Sequence, residues 1–146
     1  MATISLFKAA KGAATRNTTP DDHLEFAEYI TNIREGYWYN EVTAYRASKT
    51  DETKRRLSAV TPSGKFKKQG RDGLDTHSGI LCIDIDAKDN DGVNMKALLN
   101  DEFLLAMHKS TGGEGYAAYY RIEPDRHLEA FFALEKRLAD KYHIII

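Results

Sequence analysis

One run constrains this chain more than any other: Gly79-Ile80-Leu81-Cys82-Ile83-Asp84-Ile85-Asp86. Its length and isoleucine content predict a buried strand. Residues i and i+2 of a strand share a face. Ile83 and Ile85 therefore point one way, and Cys82, Asp84 and Asp86 the other. Neighbouring carboxylates repel unless something positive lies between them. Mg2+ or Mn2+ meets that need with oxygen ligands, and such ions clamp phosphate oxygens during in-line displacement. The plainer reading is a strand that runs out into the acidic loop Asp89-Asn90-Asp91. A lone Asp-x-Asp arises by chance, and both readings stand on spacing alone.

The segments after this run alternate. Val93 to Leu99 reads as a helix, Phe103 to Lys109 as a strand, and Tyr116 to Ile122 as a tyrosine-rich strand. Gly112-Gly113-Glu114-Gly115 reads as a hairpin-type turn between those strands. Pro124-Asp125 opens a helix through Asp140, with Leu128, Phe131, Leu134 and Leu138 on one stripe, and Tyr142 to Ile146 reads as a last strand. The expected fold class is α+β, with a β-α-β-β-α-β, RRM/ferredoxin-like core over about 78–146. Two helices would cover one face of its sheet and leave the other free for a partner.

The first half reads as a helical, basic extension. Ile4 to Phe7 is a short strand and Lys11 to Thr18 a loop. Thr19-Pro20-Asp21-Asp22 has the residues of a helix start, Phe26, Tyr29, Ile30 and Ile33 follow at helical spacing, and Gly36 is a stop. Further helices are expected from Tyr37 to Ala47 and from Asp51 to Leu57, with a turn at Thr61-Pro62-Ser63-Gly64. The expectation is one domain over 1–146, divided into a helical part (1–75) and the sheet core (76–146).

Two further groups carry chemistry. In Ser110-Thr111-Gly112-Gly113-Glu114-Gly115, glycines expose backbone N–H groups to an anion, and Ser110 and Thr111 add hydroxyl donors. A turn that needs positive φ explains the same residues. Lys49, Lys54, Arg55, Arg56, Lys65, Lys67, Lys68 and Arg71 form a basic stretch near the aromatics Tyr37, Trp38, Tyr39, Tyr45 and Phe66. That combination suits single-stranded nucleic acid, and a solvated helix face explains it too.

Composition closes off other classes. The 146 residues carry 21 Lys plus Arg and 22 Asp plus Glu, a net charge of -1, which excludes a uniformly basic nucleic-acid coat. The single Cys82 excludes an intrachain disulfide scaffold and a cysteine-based zinc site. No apolar run reaches membrane-spanning length and the first residues lack the order of a secretion signal, so a cytoplasmic protein with no membrane partner is expected.

Three runs together carry a resemblance: Leu57-Ser58-Ala59-Val60-Thr61-Pro62-Ser63-Gly64-Lys65-Phe66, His77-Ser78 with the Gly79–Asp86 run, and Ser110 to Gly115. Over roughly 45–146 the chain resembles the N-terminal domain of VirE-type proteins of bacterial mobile elements, which are similar to the archaeo-eukaryotic primase (primase-polymerase) superfamily. The resemblance implies a nucleotidyltransferase-like domain of DNA replication. Asp84 and Asp86 would be its catalytic, metal-holding pair for Mg2+ or Mn2+. Ser110, Thr111, Gly113 and Gly115 would bind a nucleoside triphosphate. Lys54, Arg55, Arg56, Lys65 and Lys67 would meet single-stranded or template DNA. Where relatives carry a histidine and a lysine in the second motif, this chain has Gly112 and Ala117. The resemblance places a third carboxylate just beyond a strand like Tyr142 to Ile146, and often a helicase domain downstream; neither lies within these 146 residues, so the third ligand is missing, supplied elsewhere, or carried by a longer protein of which this is a fragment. The alternative is a non-catalytic module that binds single strands by stacking on Tyr116, Tyr119 and Tyr120, or a protein-interaction domain with a degenerate site.

Overall fold

The computed structural model describes residues 2–9 and 18–146; most of the expected loop from Lys11 to Thr18 lies outside the described residues. The chain divides into two compact units, Met1–Ser78 and Gly79–Ile146.

The first unit holds more sheet than its sequence suggests. Its elements are β1 (Thr3–Phe7), β2 (Asp22–Glu25), α1 (Phe26–Glu35), α2 (Tyr39–Ser48), α3 (Asp51–Arg55), β3 (Ala59–Thr61), β4 (Gly64–Phe66) and β5 (Leu74–His77). An antiparallel sheet runs β2-β1-β3, and β4 pairs with β5. Thr19-Pro20-Asp21-Asp22 does not start a helix. The Asp21 N–H donates to the Leu6 carbonyl at 2.8 Å, and the Asp21 carboxylate accepts the Lys8 N–H at 2.7 Å. These bonds draw the segment alongside β1, where edge pairing satisfies its backbone, and α1 begins four residues later than the last acid of that motif. Gly36 ends α1 as expected, at φ 77°. Ser5 is fully buried in β1 and is satisfied there: its Oγ accepts the Phe66 N–H at 2.8 Å and lies 2.8 Å from His23 Nδ1. One hydroxyl thus ties β1 to both β2 and β4.

The second unit contains β6 (Ile80–Ile85), α4 (Met95–Leu98), β7 (Leu104–Lys109), β8 (Tyr116–Arg121) and α5 (His127–Tyr142). All pairings are antiparallel in the order β6-β8-β7, with β8 central. The α+β class is as expected, and so is the element order through α5. Leu81, Ile83, Ile85, Ala118 and Tyr120 face the helices and pack with Leu98, Leu134, Leu138 and Ile144. Leu128 leaves the predicted stripe and is 65% exposed.

The last expected strand is replaced. Tyr142 belongs to α5, and His143 caps it in the left-handed region at φ 57°. The His143 and Ile144 N–H groups close the cap on Ala139 and Leu138 carbonyls, and Ile144 is fully buried. No ladder pairing follows. Instead the Asn90 side chain acts as a surrogate strand: its Oδ1 accepts the Ile145 N–H at 2.8 Å and its Nδ2 donates to the Ile145 carbonyl at 2.9 Å. The same Nδ2 also donates to the Asp86 carbonyl at 2.8 Å, fastening this segment to the end of β6.

Candidate site at the end of strand β6

Asp84 lies in β6, and the backbone stays extended through Asp86 (φ -75°, ψ 130°), which preserves their i, i+2 relation. Both are exposed, while Ile83 and Ile85, which alternate with them, are buried at 1% and 2%. Lys88 Nζ lies 3.9 Å from Asp86 Oδ2. Apolar anchoring on one face thus presents the two carboxylates on the other.

The glycine turn is brought to the same place. Ile85 pairs with Tyr116 and Asp84 with Ala117, so the Ser110–Gly115 turn starts at the carboxylate end of β6. Its neck is closed by the Ser110 N–H on the Gly115 carbonyl at 2.9 Å, and its tip by the Gly113 N–H on the Ser110 carbonyl at 2.9 Å. Gly113 has φ 85°, which favours glycine. Gly115 is there for another reason: a Cβ on it would stand 2.6 Å from the Ile85 carbonyl oxygen. Close approach to β6 demands a residue without a side chain.

Across the sheet, the row Asp84, Ala117, His108 shares one face. The His108 Nδ1 lies 2.7 Å from the Lys109 carbonyl, to which it donates, and Nε2 lies 2.8 Å from the Tyr119 hydroxyl. Tyr119 also bonds Cys82. Burial, then the Asp84 charge, pushes the Cys82 thiol up to about 12 against that bond. This face is not left free as expected: Ile80, Ala117 and Tyr119 on it are buried at 0%, 8% and 2%. Tyr120 is 1% exposed in the core, so neither it nor Tyr119 offers a ring for stacking; the Tyr116 ring is partly buried and sits under Lys109 Nζ at 4.8 Å.

The basic residues lie in the other unit. Lys54 and Arg55 are exposed on α3, Arg56 is exposed at its C-cap, Lys65 is on β4, and Lys67 follows it. Arg56 pairs with Glu52 at 2.6 Å and Lys67 with Asp75 at 3.5 Å. Sequence reading overlooked Lys109, whose signal was its place just before the Ser-Thr-Gly-Gly turn. It also overlooked Asn90, hidden in what reads as an ordinary acidic loop.

Two carboxylates set the limit on a metal. Among the described residues no group of three or more His, Cys, Asp or Glu side chains is arranged to hold an ion. Mg2+ commonly binds through one or two carboxylates, with waters and substrate phosphates completing its shell. Asp84 and Asp86 fit an ion that arrives with a phosphate ligand, and do not fit one caged by protein alone. No described helix is long and apolar enough to cross a membrane.

A family model, BT4734-like, N-terminal domain, matches residues 52–143. No curated protein and no solved structure matches the chain.

Proposed function

Since the chain belongs to the BT4734-like, N-terminal domain family, we propose that it is a primase-polymerase-like domain, related to the VirE-type N-terminal domains, that binds a metal–nucleoside triphosphate at the end of β6 and nucleic acid through its basic residues. The observation that carries the reading is the close packing of Gly115 on the Ile85 carbonyl, which joins a phosphate-type turn to a carboxylate-bearing strand end.

Asp84 and Asp86 would hold Mg2+ or Mn2+ by one or two oxygens each. When bound, the ion would neutralise charge on the triphosphate and on an oxygen displaced from it. Ser110 and Thr111 would donate hydroxyl hydrogen bonds to phosphate oxygens, with Gly113 shaping the tip of the turn and Gly115 seating the turn on the end of β6. Lys109 adds a cation at the base of the turn. Glu114, exposed in the turn, opposes the triphosphate charge. Lys54, Arg55, Arg56, Lys65 and Lys67 would contact the strand backbone. In calorimetry with a nucleoside triphosphate and Mg2+, the native chain binds and Asp84→Asn/Asp86→Asn does not. Equal binding by the variant overturns the reading.

A further inference from the structure

We infer that the knuckle between α1 and α2, Tyr37-Trp38-Tyr39, is a stacking platform for the unpaired bases of a single nucleic-acid strand whose phosphates meet the basic residues of α2 and α3. It concerns the first unit alone, rests on the nucleic-acid half of the proposed function, and is independent of the metal–triphosphate site.

Tyr37 and Tyr39 are 65% and 67% exposed, although both are large aromatic side chains. Their setting is fixed from below. The Trp38 ring packs on Tyr29 at 5.8 Å, and Tyr29 is itself buried at 9%. Tyr37 stands edge-on to Trp38 at 4.9 Å. Gly36 turns the chain at φ 77°, the Tyr37 N–H donates to the Asn32 carbonyl at 2.9 Å, and the Tyr39 N–H to the Gly36 carbonyl at 3.0 Å. Rings on a fixed backbone lose little freedom when a base stacks on them.

The helices that follow buy nothing in core burial. No residue of α2 or α3 is buried. An amphipathic helix normally earns its place by an apolar face turned to the core, and α2 lacks one. From Tyr39 to Arg56 the cations Arg46, Lys49, Lys54, Arg55 and Arg56 outnumber the acids Glu41, Asp51 and Glu52, and the positive excess continues past the helices through Lys65, Lys67 and Lys68. One of those acids, Glu52, is engaged by Arg56 at 2.6 Å. Tyr39, Thr43 and Arg46 stand at i, i+4 and i+7 on one side of α2, so the aromatic end leads along the helix to a cation. Glu35 and Glu41 are the acids nearest the knuckle in sequence. Exposed π faces followed by concentrated positive charge match bases followed by phosphates.

Trp38 is the chain's one tryptophan, so its emission reports on the platform itself. The full chain is titrated with a labelled oligothymidylate in EDTA and low salt, following anisotropy and tryptophan emission. Binding with a change in Trp38 emission is expected. Tyr37→Ala/Tyr39→Ala should weaken it roughly ten- to hundredfold while the salt dependence is kept. Lys49→Ala/Lys54→Ala/Arg55→Ala should flatten the salt dependence instead. All five positions are exposed, and circular dichroism verifies folding of each variant. Absence of strand binding, or binding with unchanged Trp38 emission and no effect of the tyrosine pair, overturns the inference. So does equal affinity for duplex DNA or for polyglutamate. In the Asp84→Asn/Asp86→Asn variant strand binding should persist in EDTA, which separates this platform from the triphosphate site.

Discussion

Single residues in the second unit make contrasting predictions. Gly115→Ala places a methyl against the Ile85 carbonyl, where backbone must move to admit it. A loss of about 1–3 kcal/mol in urea unfolding is expected. Weaker triphosphate binding should accompany it, whereas Gly92→Ala, with open space around the Cβ but φ 72°, should cost stability through backbone strain and leave triphosphate binding unchanged. Asp101 is a different case. Burial opposes its ionisation, but the Phe103 N–H, the Tyr142 hydroxyl and Arg137 outweigh it and hold its carboxyl below the ordinary 3.8. Arg137 Nε lies 3.1 Å from Asp101 Oδ2. The native state therefore gives up this proton more readily than the unfolded chain. The resulting stability is complete above the ordinary value and is lost as pH falls through the lowered one. Unfolding measured against pH should show a shallower acid decline in Asp101→Asn. Cys82 runs the opposite way, since its thiol is raised from 9.0 to about 12. Its thiolate fraction at pH 8 should be roughly a thousandfold below that of a free thiol, so alkylation should be correspondingly slow. Alkylation at the free-thiol rate in the folded chain would show that the thiol is not held in this way.

At the scale of elements, period and turn chemistry were informative where burial is one-sided. β6, β7, β8 and α5 each lie within a few residues of where alternation and helical spacing put them. The Asp84–Asp86 pair and the glycine turn were legible for the same reason: apolar neighbours fix which way they point. Long-range pairing was not legible. Thr19 to Asp22 has the residues of a helix start, yet hydrogen bonds to β1, distant in sequence, decide its conformation. The C-terminal segment has strand-like residues, yet Asn90 supplies the pairing that a neighbouring strand otherwise would. No local pattern marks an asparagine for that task. Asn90→Leu removes all three of these hydrogen bonds and leaves the Ile145 peptide and the Asp86 carbonyl without that partner. A loss of about 1–3 kcal/mol is expected, with faster hydrogen exchange at Ile145. Unchanged exchange at that amide would mean the clamp does not hold the segment.

For the molecule as a whole, near-neutral charge conceals segregation. Positive charge is concentrated between Tyr45 and Lys68, and acidic residues recur from Asp84 to Asp91. The acidic pair is a test of whether that pattern serves folding or binding. Asp84 and Asp86 are exposed, and among the described residues the ion pair at this strand end is the 3.9 Å approach of Lys88 to Asp86. Exposed pairs at such distances contribute little, and two like charges on one strand end repel. Asp84→Asn/Asp86→Asn should therefore match or slightly exceed the native chain in ligand-free stability. A ligand that binds only the folded state raises stability by about 2.7 kcal/mol at a hundredfold excess over its Kd. Thermal unfolding of the native chain should accordingly shift upward with triphosphate and Mg2+ together. It should shift little with Mg2+ alone, because two carboxylates leave most of the ion's shell to be filled by phosphate and water. The variant should lose this increment while keeping its baseline. A variant that is destabilised without ligand would instead assign the two carboxylates to the fold.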